Sequence, residues 1–499
     1  MAGNTNFSDL TFIGQDSFFA RRFARPFARF LAVEAAGGIL LLIATAAALI
    51  WVNSPWGDSY DAFWGSSVDL SVNGIEIFAG HSLSDFVNDA LMAVFFFVVG
   101  LEIKRELVDG QLRNPRDAAL PAFAAIGGMV VPAAFYLLFN AGGPGQDGWG
   151  IPMATDIAFA VGIVSLLGDR VPRKLKVFLL SLAIVDDIGA IIVIALFYSS
   201  GISTGWLIAS GAMIIIILML RQLRVWYIPL YILIGAIFWW TTFRSGVHAT
   251  IAGVILGLLT PAKPLQSEDD TRTIARWLRD KPEVFPVDVR YAGFRIRESV
   301  SVAERLESSI HPITSFAIIP IFALANAGVR INGDILSAAF QSPVMWGIVV
   351  GLVVGKTLGI TLLSWGAARL GLATMPRAMT LRHLVGLAMI AGIGFTVSLF
   401  VSNLAFAGAD DHSDETAFVV EDQHGAATHE IASTDETEAA AVVLSGEEPV
   451  VLAFAEDSGA SSPIEDNAKI GILLASIMAS VGGLLILSGA GVDDDDEDD

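Results

Sequence analysis

Five ionisable side chains stand inside stretches of sequence that are otherwise apolar: Asp89, Asp156, Asp186, Asp187 and Lys356. A charge at bilayer depth costs a few kcal/mol or more unless it is paired or hydrated, so such groups mark ion and proton pathways more often than packing. Four acids and one base carry a net negative charge if all ionise, which a bound cation or protons must balance. Successive helical residues point about 100° apart, so Asp186 and Asp187 cannot face one partner equally. One carboxylate can therefore face a hydrated cavity while the other turns to an ammonium such as Lys356. Oxygen ligands suit hard cations such as Na+ or Li+, and no His or Cys cluster points to a transition metal. An inert polar network joining the helices is the bland alternative. It explains a lone intramembrane Asp better than it explains this group.

The elements that must hold these residues are membrane helices. The 499 residues are 54% hydrophobic and 16% charged, with no cysteine and a mean hydropathy of +0.63, too apolar for a soluble domain of this size. Missing cysteines exclude disulfides, thiolate metal sites and a cysteine nucleophile. About 20 apolar residues cross a bilayer as a helix, and twelve such stretches occur, near 33–52, 83–103, 118–139, 150–168, 176–198, 204–220, 226–243, 245–260, 312–329, 343–366, 382–407 and 468–489. The expected fold is an all-α polytopic membrane protein of twelve transmembrane helices.

Basic residues orient it. With the N-terminus inside, 26 of the 30 Lys and Arg fall in cytoplasmic segments, three (Arg244, Arg330 and Lys469) fall outside, and Lys356 is mid-span. This asymmetry predicts cytoplasmic N- and C-termini. The formal charge of −21 is concentrated, since residues 409–467 and 493–499 hold 23 of the 51 acids. The rest of the chain is near neutral, which excludes an acidic scaffold and a nucleic-acid binder, the latter needing a basic face.

The domains expected are a cytoplasmic segment 1–32, a membrane body 33–407, an acidic outside insertion 408–467 expected to be disordered, a last span 468–489 and an acidic cytoplasmic tail 490–499. Arg21, Arg22, Arg25 and Arg29 make the N-terminal segment basic and juxtamembrane rather than a cleavable signal. Alternation of apolar and polar residues around Asn73-Gly74 predicts a small outside β-hairpin at about 68–77. Residues 263–311, with mixed charges, Pro282 and Pro286, read as a long cytoplasmic loop. The insertion and tail read as solvated linkers; cation accumulation or adaptation to high salt is the sharper alternative.

Two spans carry signs of interruption. Span four runs Gly150-Ile151-Pro152 into Ala154-Thr155-Asp156, and span eleven contains Gly392-Ile393-Gly394-Phe395-Thr396. Spans three to five and ten to twelve then fit an inverted repeat, each half with a broken middle helix, the two crossing at the midplane. Facing half-helix N-termini concentrate positive charge and facing C-termini negative charge. Asp156 can offset the first and Lys356 the second.

The stretches Asp89–Phe96, Val99–Leu107, Ala154–Ala160, Ala183–Ile191, Ser245–Thr250, Phe322–Gly328 and Gly392–Thr396 together resemble the NhaA family of sodium/proton antiporters. The resemblance covers roughly residues 30–408 and, more weakly, 468–489. It implies that Asp187 is the principal cation and proton carboxylate, Asp186 its partner, and Lys356 the ammonium that pairs with Asp186. Asp156 and Thr155 would support the crossing, Asp89 would be accessory, and Na+ would bind at Asp186 and Asp187. It also implies a pH-responsive cluster at the cytoplasmic mouth, mapping to Glu102, Arg105, Glu106, Glu307 and His311, which otherwise read as ordinary loop charges. A dimer formed through the hairpin is implied as well. His248 sits in family context but reads as a hydrogen-bonded structural residue. Ser308 stands where the family often has a second His, and Thr357 where Pro is frequent.

The expected activity is electrogenic export of Na+ and Li+ in exchange for protons by alternating access, rising with pH. No cofactor beyond the transported Na+, Li+ and H+ and no enzyme activity are expected; the other partners are the lipid bilayer and a second copy. Three rivals differ. An intramembrane aspartyl protease would place its two aspartates on separate facing helices, a pH-gated channel would conduct without saturable proton coupling, and a sodium-coupled symporter would need an organic-substrate pocket.

Overall fold

The computed structural model describes residues 36–72, 75–199, 201–223, 228–264, 266–376, 379–406 and 462–489. The basic N-terminal segment, the Asn73-Gly74 turn, residues 407–461 of the acidic insertion and the acidic tail lie outside them.

The chain is mostly helical, and helices overlie every apolar stretch named above. Helix α1 is Ala36–Val52 and α2 is Gly57–Trp64. Strands β1, Ser67–Val72, and β2, Ile75–Ser82, pair antiparallel with Val72 opposite Ile75. Then come α3 (Leu83–Val108), α4 (Pro115–Asn140), α5 (Gln146–Met153, wound as a 3-10 helix), α6 (Ile157–Leu166), α7 (Arg173–Phe197), α8 (Thr204–Gln222), α9 (Ile228–Phe243) and α10 (Ala249–Leu259). They are followed by α11 (Glu268–Arg279), α12 (Pro286–Arg297), α13 (Val302–Asn326), α14 (Gly333–Gln341), α15 (Pro343–Arg369), α16 (Leu381–Ile390), α17 (Phe395–Phe406) and α18 (Pro463–Ser488).

Among the described residues, seven helices are each long and apolar enough to cross a membrane alone: α3, α4, α7, α8, α13, α15 and α18. The pairs α5–α6 and α16–α17 pass that test together, bent by 40° and 49° at their breaks. Apolar side chains cover the outside, Ile50, Leu138, Leu196, Ile208 and Ile215 all being largely exposed. An exposed belt of this kind is tolerable only in lipid, where it loses nothing by facing outward.

The packing divides. Helices α1, α3, α8, α9, α10 and α13 pack chiefly on one another, as do α4, α5, α7, α15, α16, α17 and α18. In the second bundle, α4 and α15 approach closely because both present glycine. A Cβ on Gly127 would lie 2.1 Å from the Gly359 carbonyl oxygen, and one on Gly359 would lie 2.0 Å from that of Gly127. Such closeness is the membrane substitute for hydrophobic packing.

Three helices contain a widened π turn: Val87–Leu91 in α3, Thr314–Ile318 in α13 and Gly351–Gly355 in α15. One extra residue in a turn re-aims every side chain after it, and such turns gather at functional sites. The turn in α15 ends immediately before Lys356, and the turn in α3 contains Asp89.

Two boundaries differ from the sequence expectation. Residues 263–311, read as a loop, hold α11, α12 and the first turns of α13. Mixed charge and the two prolines mask the helix starts there, although Ser267 caps α11 in a reciprocal box with Asp270. Helix α13 also passes through Pro312, which marks no boundary there. The acidic insertion likewise stops earlier than 467. Ser462 accepts from the Glu465 N–H, Pro463 stands at the first helical position, and Glu465 and Asp466 occupy the first turn of α18, the sequence of a helix start.

Candidate functional site at the helix crossing

Between α5 and α6, Ala154 and Asp156 are extended, with ψ of 152° and 99°. Pro152 and the following Thr-Asp pair favour such an exit from helix. Between α16 and α17, Gly392 allows close approach, since a Cβ there would stand 2.4 Å from the Leu352 carbonyl oxygen. The two breaks meet: the Asp156 N–H donates to the Ile393 carbonyl at 2.7 Å.

Asp156 caps both outgoing half-helices. Its Oδ1 accepts from the Phe159 N–H at 3.0 Å, in the first turn of α6. Its Oδ2 accepts from the Thr396 N–H at 3.1 Å and the Thr396 hydroxyl at 2.7 Å, in the first turn of α17. One buried carboxylate thus satisfies donors at two facing positive helix ends.

Lys356 works at the opposite pole. It is fully buried, and its Nζ donates to the Met153 carbonyl at the C-terminus of α5 at 2.5 Å and to Asp186 Oδ2 at 2.7 Å. Thr155 Oγ1 lies 2.7 Å from that same carboxylate oxygen and 2.8 Å from the Ala391 carbonyl, just past the end of α16. A hydroxyl has one proton, so Thr155 donates to one of these at a time. If Asp186 carries a proton, Asp186 donates to Thr155 and Thr155 to Ala391. If it does not, Asp186 can accept from Lys356 and Thr155 together.

Asp187, one residue on, is equally buried. Its Oδ1 and the Oδ1 of Asp186 have no hydrogen-bond partner in the protein. Asp187 lies within the charge influence of Asp186, Glu102, Lys356 and Asp156. Two buried carboxylate oxygens without donors, set among other acids, are acceptors of the kind that suits protons or a hard cation, although among the described residues no three His, Cys, Asp or Glu side chains gather as a ready metal-ligand set.

Asp186, Thr155, Asp156 and Lys356 are thus tied into one constellation beside Asp187. Asp89 stands apart. It lies thirteen residues up α3 from Glu102, about 20 Å along the helix, where its carbonyl accepts from Trp239 Nε1 at 3.0 Å. Glu102, Arg105, Glu106, Glu307 and His311 do come together. Arg105 pairs with buried Glu307, Glu102 lies within the charge influence of Glu307, Arg105 and Glu106, and His311 within that of Arg105. His248 hydrogen-bonds the Tyr198 carbonyl through Nε2.

Sequence reasoning missed the role of Thr396, although it was the polar residue following a glycine-flanked break. It also missed Ser398, whose hydroxyl donates to the Ile151 carbonyl at 2.8 Å. The Met153 and Ala391 carbonyls had no signal in side-chain identity.

A family model described as Na+/H+ antiporter 1 matches residues 28–426. A Na+/H+ antiporter NhaA of Rhodopirellula baltica is 47% identical over 400 residues, 78% of this chain and 89% of that one. Na+/H+ antiporter NhaA 3 of Frankia alni is 45% identical over 381 residues, 76% of this chain and 81% of that one. The solved structure of the sodium proton antiporter MjNhaP1 from Methanocaldococcus jannaschii reaches a TM-score of 0.45 at 12% identity, covering 92% of this chain and 97% of that one. That likeness is too distant to bear on how the helices are arranged.

Proposed function

The chain belongs to the NhaA family of Na+/H+ antiporters, and from that premise we propose that it exports Na+, and Li+, in electrogenic exchange for protons by alternating access. The observation that carries this reading is the buried Lys356–Asp186–Thr155 cluster at the meeting of two broken helices, with the Oδ1 of Asp187 beside it lacking a hydrogen-bonded partner.

In the inward-open form, Asp186 and Asp187 lose protons and Na+ takes their place, held by carboxylate oxygens with the Thr155 hydroxyl turned toward them. Lys356 moves between Asp186 and the Met153 carbonyl as the charge on Asp186 changes, and Asp156 keeps the two half-helix ends together through both states. Outside, protons displace Na+. Competition for the same oxygens couples the ions, because neither can shift the equilibrium without displacing the other. More than one group changes protonation per cycle, so more than one proton returns per Na+ and the membrane potential drives export. The protons belong to the coupled set Asp186, Asp187 and Lys356 rather than to one residue.

In this reading twelve spans cross a bacterial inner membrane with both termini cytoplasmic. The breaks in α5–α6 and α16–α17 are the interrupted spans of the two repeats, β1 and β2 lie outside, and their free edges join two copies. The cluster Glu102, Arg105, Glu106, Glu307 and His311 lies at the cytoplasmic mouth and sets the alkaline activation; Asp89 is accessory on the outer side.

Everted vesicles carrying the protein test the proposal. Addition of Na+ should collapse a preformed pH gradient, more strongly at alkaline pH, and Asp187→Asn should abolish that response. No Na+-dependent collapse by the unaltered chain, or an intact response in Asp187→Asn, overturns it.

A further inference from the structure

Between α10 and α13 the chain leaves the membrane body and returns as an arm, α11 and α12. The two helices run antiparallel: the Gln266 N–H donates to the Glu298 carbonyl at 3.2 Å, the rings of Trp277 and Tyr291 meet edge to face at 5.8 Å, and Lys281 Nζ lies 2.6 Å from Asp288. The base of the arm is fixed to the body. The Ala303 N–H donates to the Pro261 carbonyl at 3.1 Å, and Ala262 and Ala303 pack with Leu101 of α3. Beyond that base, α11 and α12 pack chiefly on each other.

Helix α12 turns Asp288 and Ala292 inward. Val287, Tyr291 and Phe294, four and three residues apart, form a stripe on a neighbouring face, and Tyr291 carries it on to Trp277 of α11. These four large side chains are between 40% and 60% exposed. Arg290 and Arg297 flank the stripe, Arg297 lying over the Phe294 ring at 5.9 Å from its centroid. Asp288, the only acid of α12, is held on the inner side by Lys281, so the charge that α12 shows outward is positive. A face meant for water would be polar, as α11 is at Arg272, Thr273 and Arg276; an apolar stripe rimmed by arginine marks a contact.

We propose that α12 lies on the cytoplasmic leaflet of the membrane that the body spans, with the stripe and Trp277 seated at the boundary of headgroups and acyl chains and Arg290 and Arg297 against the phosphates of anionic lipids. Reach, residue type and charge favour this occupant over a soluble protein or a second copy. Each arm helix has 12 residues, about 18 Å, and its base is tied to the ends of two membrane helices, so the bilayer surface is within reach of the whole stripe. Trp and Tyr are the side chains that favour the headgroup level. Arginine keeps its charge among the headgroups while its stem covers apolar surface, and an outward charge of one sign matches an anionic leaflet. The contact touches no transported ion, and the side of the membrane on which it forms rests on the topology proposed above.

The chain has no cysteine, so a single introduced thiol carries a nitroxide label without background. Val287→Cys and Val289→Cys place the label at two exposed positions of α12, about 160° apart around the helix. Each full-length variant is reconstituted in phosphatidylcholine vesicles with and without phosphatidylglycerol, and collisions of the label with dissolved oxygen and with a water-soluble nickel chelate are compared by electron paramagnetic resonance. With phosphatidylglycerol present, oxygen should prevail at 287 and the chelate at 289, the oxygen-to-chelate ratio differing by about fivefold or more. Free collision of the chelate with both labels overturns the proposal. Shielding of 287 from both reagents, as a second copy seated on the stripe would produce, overturns it as well.

Lipid charge supplies the second readout. Phosphatidylglycerol should raise the ratio at 287 about threefold, and Arg290→Gln/Arg297→Gln should remove that rise. A ratio indifferent to phosphatidylglycerol, or one that rises equally without the two arginines, overturns the pairing of arginine with lipid phosphate. Na+-driven proton exchange is followed in the same vesicles. Normal exchange with the 287 label in water overturns the arm's contact and leaves the transport reading standing, whereas no exchange by the unaltered chain overturns the transport reading alone.

Discussion

Charges at the helix crossing and charges on the arm formed by α11 and α12 are the same residue types held in opposite ways. At the crossing, Lys356 and Asp186 are each 1% exposed in the side chain, and both bind backbone or hydroxyl groups that chain breaks leave unpaired. On the arm, Arg279 and Asp280 pair with side chains 74% and 64% exposed, where water substitutes for either partner. The difference teaches that a charge acquires a task where the fold denies it water and supplies a helix end in exchange.

That contrast breaks first at Asp187. Asp187→Asn keeps the shape and removes the charge that Na+ would meet, so Na+-dependent dissipation of a pH gradient should fall by about two orders of magnitude or more. Near-normal exchange would mean that the crossing is only a structural knot. Asp156→Ala should act on stability, since it strips donors at two helix ends of their acceptor. A loss of roughly 2–4 kcal/mol is expected from caps and buried N–H groups together, read as a lowered midpoint in thermal unfolding of the detergent-solubilised protein. An unchanged midpoint would show that the breaks do not need their carboxylate.

Thr155→Val is nearly isosteric and removes the hydroxyl shared by Asp186 and Ala391. Weakening of apparent Na+ affinity by about tenfold, with the maximal rate less affected, fits a buried donor worth about 1.4 kcal/mol. An equal fall in affinity and rate would instead mark a folding defect.

The cluster around Arg105 and Glu307 lies between the two extremes. Glu307→Gln breaks the pair with Arg105 and should displace the pH profile of exchange while keeping the rate at its optimum within about threefold. A unchanged profile would return these residues to the status of ordinary surface charge.

The smallest effect belongs to the arm. Lys281 donates to Asp288 at 2.6 Å, and that bond, with the Phe285 N–H, holds the carboxyl of Asp288 below the usual carboxylate range. A lowered folded value contributes stability above the ordinary carboxylate pKa and loses it as pH falls through the folded value. Asp288→Asn should therefore lower thermal stability slightly at pH 8, where the ionised pair contributes in full, and flatten its decline in acid. A large loss at pH 8 would mean that the arm supports the membrane body.

Much of this arrangement was legible in the letters. Hydropathy located the stretches that hold the long apolar helices, and the adjacency of Asp186 and Asp187 dictated that they divide their partners. Gly, Pro and a Thr-Asp pair announced the break after Met153. The rest depended on groups that composition does not display. Backbone carbonyls of Met153 and Ala391 receive the key donors, and no side-chain pattern names a carbonyl. Asn88 and Asn326 are far apart in sequence and individually ordinary, so the reciprocal bond between their amides follows only from how the helices pack. Mixed charge on the arm hid α11 and α12, and an acidic setting hid the start of α18 until Ser462 was seen to cap it.

The central claim is that Na+ and protons exclude each other from one pair of carboxylates. Its most direct test is proton release: purified protein in weakly buffered detergent solution is titrated with NaCl while pH is followed, using Asp187→Asn as reference. The account predicts saturable release of protons on Na+ binding, with Na+ affinity falling as pH is lowered and release lost in Asp187→Asn. Saturable Na+ binding with no protons released, at an affinity independent of pH, would contradict it.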